Sequence, residues 1–304
     1  MRTSELITVV VPVYNRAHTI GRTLRTIDAQ TVRPYQVILV DNASTDASLS
    51  ILKGWAESRP YARVLSESRR GACAARNRGL SEVTTPWVMF FDSDDVMLPD
   101  HVGDFDDAIR RNPSADILGR AITAEMPDGS LRRLAFTDRN PLVNHILRSC
   151  LSTQRIVTRT PLVRAAGGWD ERLTGWDDYE LGVRLLLAGG RPVDIGGEPT
   201  VRTCFEAESL TGSDFSHAPS KWEPSLVLIR RHLAERGMTE IIRWVDVRSM
   251  ILAAQYAREG AADLAASLAA DTLAHTSAPR RMRLIYHHNR LFNRLTWVVA
   301  RLIL

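Results

Sequence analysis

From Leu6 to Pro12 the chain is apolar except at Thr8 and stops at a proline, as expected of a strand buried on both faces of a parallel sheet. Polar residues follow, and then Ile20, Leu24 and Ile27 recur at helical spacing, with Asn15 expected to cap that helix. Val37 to Val40 forms a second apolar run, ended by Asp41. Asp46 is placed to open another helix through Leu49, Leu52 and Trp55. A short strand near Arg63 to Leu65, a helix from Ala72 to Leu80 after Gly71, and the run Trp87 to Phe91 complete the first ninety or so residues. This alternation of strand and helix predicts an α/β fold whose central sheet is mostly parallel, with helices on both faces.

Beyond that point the pattern changes. Residues 116–135 read as a strand pair turning at Asp128-Gly129. A helix runs through Leu181, Val183, Leu185 and Leu186 and is stopped by Gly189-Gly190. From Trp222 onward the periodicity is helical throughout, which divides the chain into residues 1–221 and a helical region, 222–304.

In open parallel sheets, ligands bind beyond the carboxyl ends of the strands. Tyr14, Asp41 and Asp92 all stand at such ends, so three segments converge on one crevice. The third is the most telling. Asp92-Ser93-Asp94-Asp95 follows an apolar strand directly, and clustered carboxylates repel one another unless a cation is bound there. Oxygen ligands of this kind suit Mn²⁺ or Mg²⁺, which commonly hold phosphates as well. The segment therefore points to a metal–diphosphate substrate. Tyr14 offers an aromatic face for a pyrimidine, and Asp41 could accept a hydrogen bond from an imide N–H, which would favour uracil or thymine over cytosine. Arg76 could reach the base or the diphosphate, or pair with one of the acids at 92–95.

Composition adds limits. The 304 residues are 44% hydrophobic and 24% charged, ordinary for a globular protein. Cys73, Cys150 and Cys204 form neither a zinc pattern nor a disulfide framework. No apolar stretch approaches the roughly 20 residues needed to span a bilayer, and the N-terminus does not resemble a secretory signal, so a cytoplasmic protein is expected. The net charge of +4 is uneven: Arg280, Arg281, Arg283, Arg290, Arg294 and Arg301 occur in a final stretch without acids.

Taken together, the motifs of residues 5–211 resemble family 2 glycosyltransferases of the GT-A fold. Pro12-Val13-Tyr14-Asn15 matches the first-strand motif. Asp41-Asn42-Ala43-Ser44-Thr45-Asp46 resembles the Asp-Asp-Gly-Ser-Thr-Asp element, departing at Asn42 and Ala43. Gly71 to Gly79 matches the Gly…Ala-Arg-Asn-x-Gly segment, and Asp92-Ser93-Asp94 the Asp-x-Asp element. Gly167-Gly168-Trp169-Asp170-Glu171 and Trp176-Asp177-Asp178 resemble the acceptor-side segment.

The resemblance implies a GT-A domain with a C-terminal all-helical appendage, and inverting transfer of a sugar from a nucleotide-diphosphate donor, UDP-sugar favoured. It implies donor contacts from Pro12, Tyr14, Asn15, Asp41, Arg76, Asp92 and Ser93. Asp94 would be the main metal ligand, with Asp92 on the ribose hydroxyls or assisting at the metal. Asp178 would be the general base, Asp177 would bind acceptor hydroxyls and Trp176 would stack on a sugar. Alternatively, both acids merely favour a helix N-terminus. A family position that often supplies a histidine near the metal falls on Glu206, which would be a third ligand. Asp95 fits a loop or cap acid at least as well as a ligand.

Leu284, His288, Leu291, Leu295, Val298 and Leu302 form an apolar stripe flanked by arginines. It could pack on the chain's own helices, pair with a second copy, or lie peripherally on an anionic membrane, where a glycan or lipid-linked acceptor would be found. No nucleic-acid-binding pattern appears. A sugar nucleotidyltransferase would show a Gly-rich loop with a basic residue after the first strand; Tyr14-Asn15-Arg16-Ala17-His18 stands there instead. A non-catalytic nucleotide-sugar-binding scaffold is the remaining alternative.

Overall fold

Side chains alternate across the Ile7–Val13 strand: Val9 and Val11 enter one hydrophobic cluster and Val10 enters another on the opposite face. All seven residues are buried, as a central strand requires. The computed structural model describes residues 2–205 and 215–292, together with 298, 300 and 302. Its main sheet has seven strands, in the order Pro192–Asp194, Ile117–Gly119, Ile156–Arg159, Trp87–Phe90, Ile7–Val13, Gln36–Asp41 and Ala62–Ser66. The last four of these are mutually parallel. Ile156–Arg159 runs antiparallel to both neighbours, so the sheet is mixed.

A smaller sheet joins Leu131–Leu134, Ile122–Glu125, Val201–Thr203 and Val96–Met97. The expected turn at Asp128-Gly129 does connect the first two, with Gly129 at φ 78°. Ile117–Gly119, read as part of that pair, belongs to the main sheet instead.

Helices cover both faces. Ile20–Asp28 starts five residues after Asn15, so Asn15 does not cap it. Asn15 is itself left-handed (φ 49°), and its Oδ1 accepts the Thr45 N–H at 2.8 Å, locking two strand-end loops together. Asp46 does serve the next helix, Ser48–Ala56, by accepting the Ser48 N–H at 2.9 Å. Ala72–Ser81 lies close against the sheet. A Cβ on Gly79 would fall 2.3 Å from a Val10 methyl carbon, so the last glycine of its motif is needed for that approach.

The C-terminal helices Glu223–Glu235, Thr239–Arg258, Ala262–His275 and Pro279–Leu291 do not pack as a separate body. Trp222, Tyr256 and Met282 share one apolar cluster with Ile146, Leu147 and Tyr179 from the α/β part. The face that Pro279–Leu291 buries carries Met282, Ile285 and Asn289. Leu284 and Leu291, from the expected stripe, are instead 59% and 74% exposed, and Val298 and Leu302 are exposed as well. Leu295 and Trp297 lie outside the described residues, as does Glu206. No helix among the described residues is long and apolar enough to cross a membrane. The three cysteines are free thiols.

Candidate active site

The carboxyl ends of the Ile7–Val13, Gln36–Asp41 and Trp87–Phe90 strands place Tyr14, Asp41 and Asp92 along one edge of the sheet. Pro12 and Ser93 are buried beneath that edge. Tyr14 is 42% exposed, with the Arg70 guanidinium 5.7 Å from its ring centroid. Asp41 is almost fully buried. Its Oδ2 accepts the Ser44 N–H at 3.4 Å, while its Oδ1 has no hydrogen-bond partner among the described residues. A buried carboxylate oxygen left unmatched is costly and calls for a donor from a ligand.

Asn42 accounts for one departure from the family motif. Its amide donates to the Glu67 and Arg69 carbonyls at 3.1 and 2.7 Å and accepts the Gly71 N–H at 2.8 Å. An ionised aspartate could donate neither of the first two bonds.

Arg76 is buried and joins the two halves of the cleft. One nitrogen bonds Asp92 Oδ1 at 2.8 Å and another bonds Asp177 Oδ2 at 2.6 Å, while the guanidinium stacks on Trp169 at 4.3 Å. The pairing between Arg76 and the 92–95 acids is therefore present. Asp92 Oδ2 also receives Gln154, a residue that carried no sequence signal. Asp95 is buried and accepts the Cys204 N–H at 3.0 Å, the bond of a loop acid. Burial and the nearby Asp92 and Asp94 charges push its carboxyl well above the usual range.

Asp94 lies on the same turn, with Arg16 Nε 3.4 Å from its Oδ2 and Arg22 bonded to its carbonyl. Among the described residues no group of three or more His, Cys, Asp or Glu side chains is set to hold a metal. Two carboxylates are nonetheless a usual protein share for Mg²⁺-type ions, which take their other ligands from water and phosphate. Asp92 and Asp94 are the carboxylates of this turn that would make up such a share, with Arg16 and Arg22 beside them and Arg76 and Gln154 on the two Asp92 oxygens.

Asp177 and Asp178 open the Asp177–Leu187 helix, as expected if a helix N-terminus favours acids. Yet the Asp178 carboxyl is pushed up to about 6, by burial first and by the Asp177 charge second, with Arg76 opposing. Its surroundings explain the burial effect: it borders a small cavity lined by Val88, Phe90, Leu151, Leu181 and Leu185. Oδ2 accepts the Thr153 N–H at 3.3 Å. Burial and the Asp177 charge therefore outweigh Arg76 and the Thr153 N–H, leaving a carboxylate basic enough to take a proton near neutrality.

Trp176 does not present an open face. Its ring packs with Tyr179, Phe215 and Trp222, and Arg248 covers it at 4.6 Å. Three side chains important to this geometry escaped the sequence reading: Gln154, His232 and Arg248, each a single residue in a stretch without motif.

The Haemophilus influenzae protein described as an uncharacterized glycosyltransferase is 24% identical over 236 residues, covering 75% of this chain and 76% of its own. The uncharacterized glycosyltransferase YibD of Escherichia coli is 33% identical over 99 residues, 33% of this chain but only 29% of YibD. Among solved structures, S. aureus TarS 1-349 in complex with UDP-GlcNAc superposes with a TM-score of 0.67 at 17% identity, covering 98% of this chain and 90% of that one. The mannosyltransferase PcManGT from Pyrobaculum calidifontis, in complex with GDP-Man and Mn²⁺, gives 0.57 at 21% identity over 98% and 83% of the two chains. At such identities the likeness establishes the fold, a GT-A architecture with a C-terminal helical appendage. The family model described as Glycosyl transferase family 2 matches residues 8–163, just over half of the chain, and the protein is a member of that family.

Proposed function

We propose that the protein transfers a sugar from a nucleotide-diphosphate donor to an acceptor hydroxyl with inversion at the anomeric carbon. The observation carrying this reading is the Arg76 bridge, which ties the donor-side Asp92 to the acceptor-side Asp177 beside Asp178. Asp178 takes the acceptor proton as the acceptor oxygen attacks the anomeric carbon. The bond from that carbon to the diphosphate breaks, and its electron pair leaves with the diphosphate. Asp177 orients acceptor hydroxyls. Mn²⁺ or Mg²⁺, held by Asp94 and Asp92, would neutralise charge developing on the leaving diphosphate.

Donor recognition falls to the strand-end residues. Tyr14 stacks on the base, and the unmatched Asp41 Oδ1 accepts the imide N–H of uracil. Pro12, Asn15 and Ser93 shape the loops around it, and Asp92 reaches the ribose. The donor class is supported by UDP-GlcNAc in TarS and GDP-Man in PcManGT; the Asp41 carboxylate favours uracil over cytosine. The reading places the enzyme in surface glycan, polysaccharide or glycolipid synthesis, on a cytoplasmic membrane face. The exposed Leu284, Leu291 and Phe292 among arginines support peripheral membrane contact or pairing with a second copy through residues 280–304.

A thermal-shift screen of nucleotide sugars with Mn²⁺ and with chelator tests the reading. A shift for UDP-sugars that chelation weakens is expected. No shift for any nucleotide sugar overturns it.

A further inference from the structure

The family match ends at residue 163, yet three side chains from the C-terminal helices grip the segment bearing Asp177 and Asp178. Ser225 Oγ donates to the Gly175 carbonyl at 3.0 Å. His232 Nε2 lies 2.9 Å from Oε1 of the fully buried Glu180, which Arg184 also pairs. Arg248 stacks over the rings of Trp176 and Tyr179, at 4.6 and 5.4 Å, and donates to the Leu147 carbonyl at 3.0 Å.

Trp176 is the corner they hold. It is left-handed, with φ 49° and ψ 29°, a conformation that a bulky residue keeps only where its surroundings impose it. The Trp176 carbonyl accepts the Glu180 N–H at 3.0 Å, and Asp177 Oδ1 accepts the Asp178 N–H at 3.0 Å. The Trp176 corner therefore sets where the helix bearing both acids starts, and Arg76 and the Thr153 N–H hold the two carboxylates from there. Tyr179, Phe215 and Trp222 enclose its ring from the sides, and Arg248 covers it.

We propose that Arg248 is a positioning residue for the Asp177–Asp178 turn: its guanidinium, stacked on Trp176 and anchored to Leu147, holds the left-handed corner that orients both acids. Its effect on turnover rests on the proposed role of Asp178 as base. The guanidinium charge also acts on the Asp178 carboxylate. The C-terminal helices thereby become part of the catalytic apparatus. Lysine cannot replace the contact, because an ammonium group lacks the planar fork that stacks and donates together.

The test compares wild type, Arg248→Met and Arg248→Lys by amide hydrogen exchange and by steady-state kinetics on folded protein. In Arg248→Met, exchange at residues 177–180 is expected to speed up about tenfold or more while residues 72–81 keep wild-type protection. Its kcat should fall about tenfold or more with donor KM within about twofold, since misplacement of a reacting group acts on turnover rather than on donor binding. Arg248→Lys should recover part of that kcat. Wild-type exchange at 177–180, or wild-type kcat in folded Arg248→Met, overturns the proposal. Should Arg248→Met fail to fold, Arg248→Lys decides: a several-fold lower kcat and faster exchange support the proposal, and wild-type values overturn it. If the wild-type protein transfers no sugar, the reading of the reaction falls, and the exchange data still judge the positioning role.

Discussion

Arg76 and Asp177 meet at 2.6 Å although 101 residues separate them in the chain. The same guanidinium bonds Asp92, so one cation serves acids from both sides of the cleft. Substituting Arg76 by alanine leaves both carboxylates without their charge partner in a largely buried setting. We expect a stability loss of about 3 kcal/mol, seen as a lower Tm in calorimetry. Arg76→Lys should recover little, because one ammonium cannot span both carboxylates and stack on Trp169.

Asp178 predicts a pH dependence. A base must be ionised to act, and burial holds this carboxyl up to about 6. The logarithm of kcat/KM should rise with a slope near one below pH 6 and level off above it, as measured with saturating metal. An acidic limb centred near pH 4 would show that Asp178 is not the titrating base.

The unmatched oxygen of Asp41 predicts base selectivity. Asp41→Asn replaces a pure acceptor by a group that can also donate. Affinity for UDP should fall about tenfold or more, the effect of losing a hydrogen bond to a charged group, while CDP loses less. Isothermal titration of the two diphosphates measures the ratio. An unchanged preference for UDP over CDP contradicts the assignment.

Asn42 shows how a motif departure is absorbed. Restoring the family residue by Asn42→Asp removes both donors to the Glu67 and Arg69 carbonyls and sets a carboxylate against them. We expect about 1–3 kcal/mol of destabilisation in urea unfolding. The family consensus is thus the worse choice in this chain.

Much of the donor side was legible because an apolar run that ends in an acid leaves little room for another reading. Asp41 and Asp92 stand where the strand ends imply, and the helix Ala72–Ser81 brings Arg76 to Asp92. The antiparallel Ile156–Arg159 was not legible: four residues give no period, and it owes its place to pairing with strands distant in sequence. The C-terminal stripe misled for a related reason. Leu284 and Leu291 have core-like spacing, but Met282 and Ile285 supply the buried face, and spacing alone cannot rank two apolar faces of one helix. Trp176 was expected to stack on a sugar because the resemblance puts it in the acceptor-side segment. The helices that occupy its ring lie more than forty residues downstream, where no motif announces them.

Asp178→Asn bears directly on the proposed base, with donor binding and sugar transfer measured on the same preparation. The fold raises this carboxyl, so its ionised form costs stability, a cost that grows as pH rises from about 4 through 6. The variant should therefore be at least as stable as wild type at pH 8, by about 1–3 kcal/mol at most. It should bind UDP-sugar with wild-type affinity and transfer sugar at least about a hundredfold more slowly, as expected on losing a general base. Wild-type turnover by folded Asp178→Asn would contradict the account.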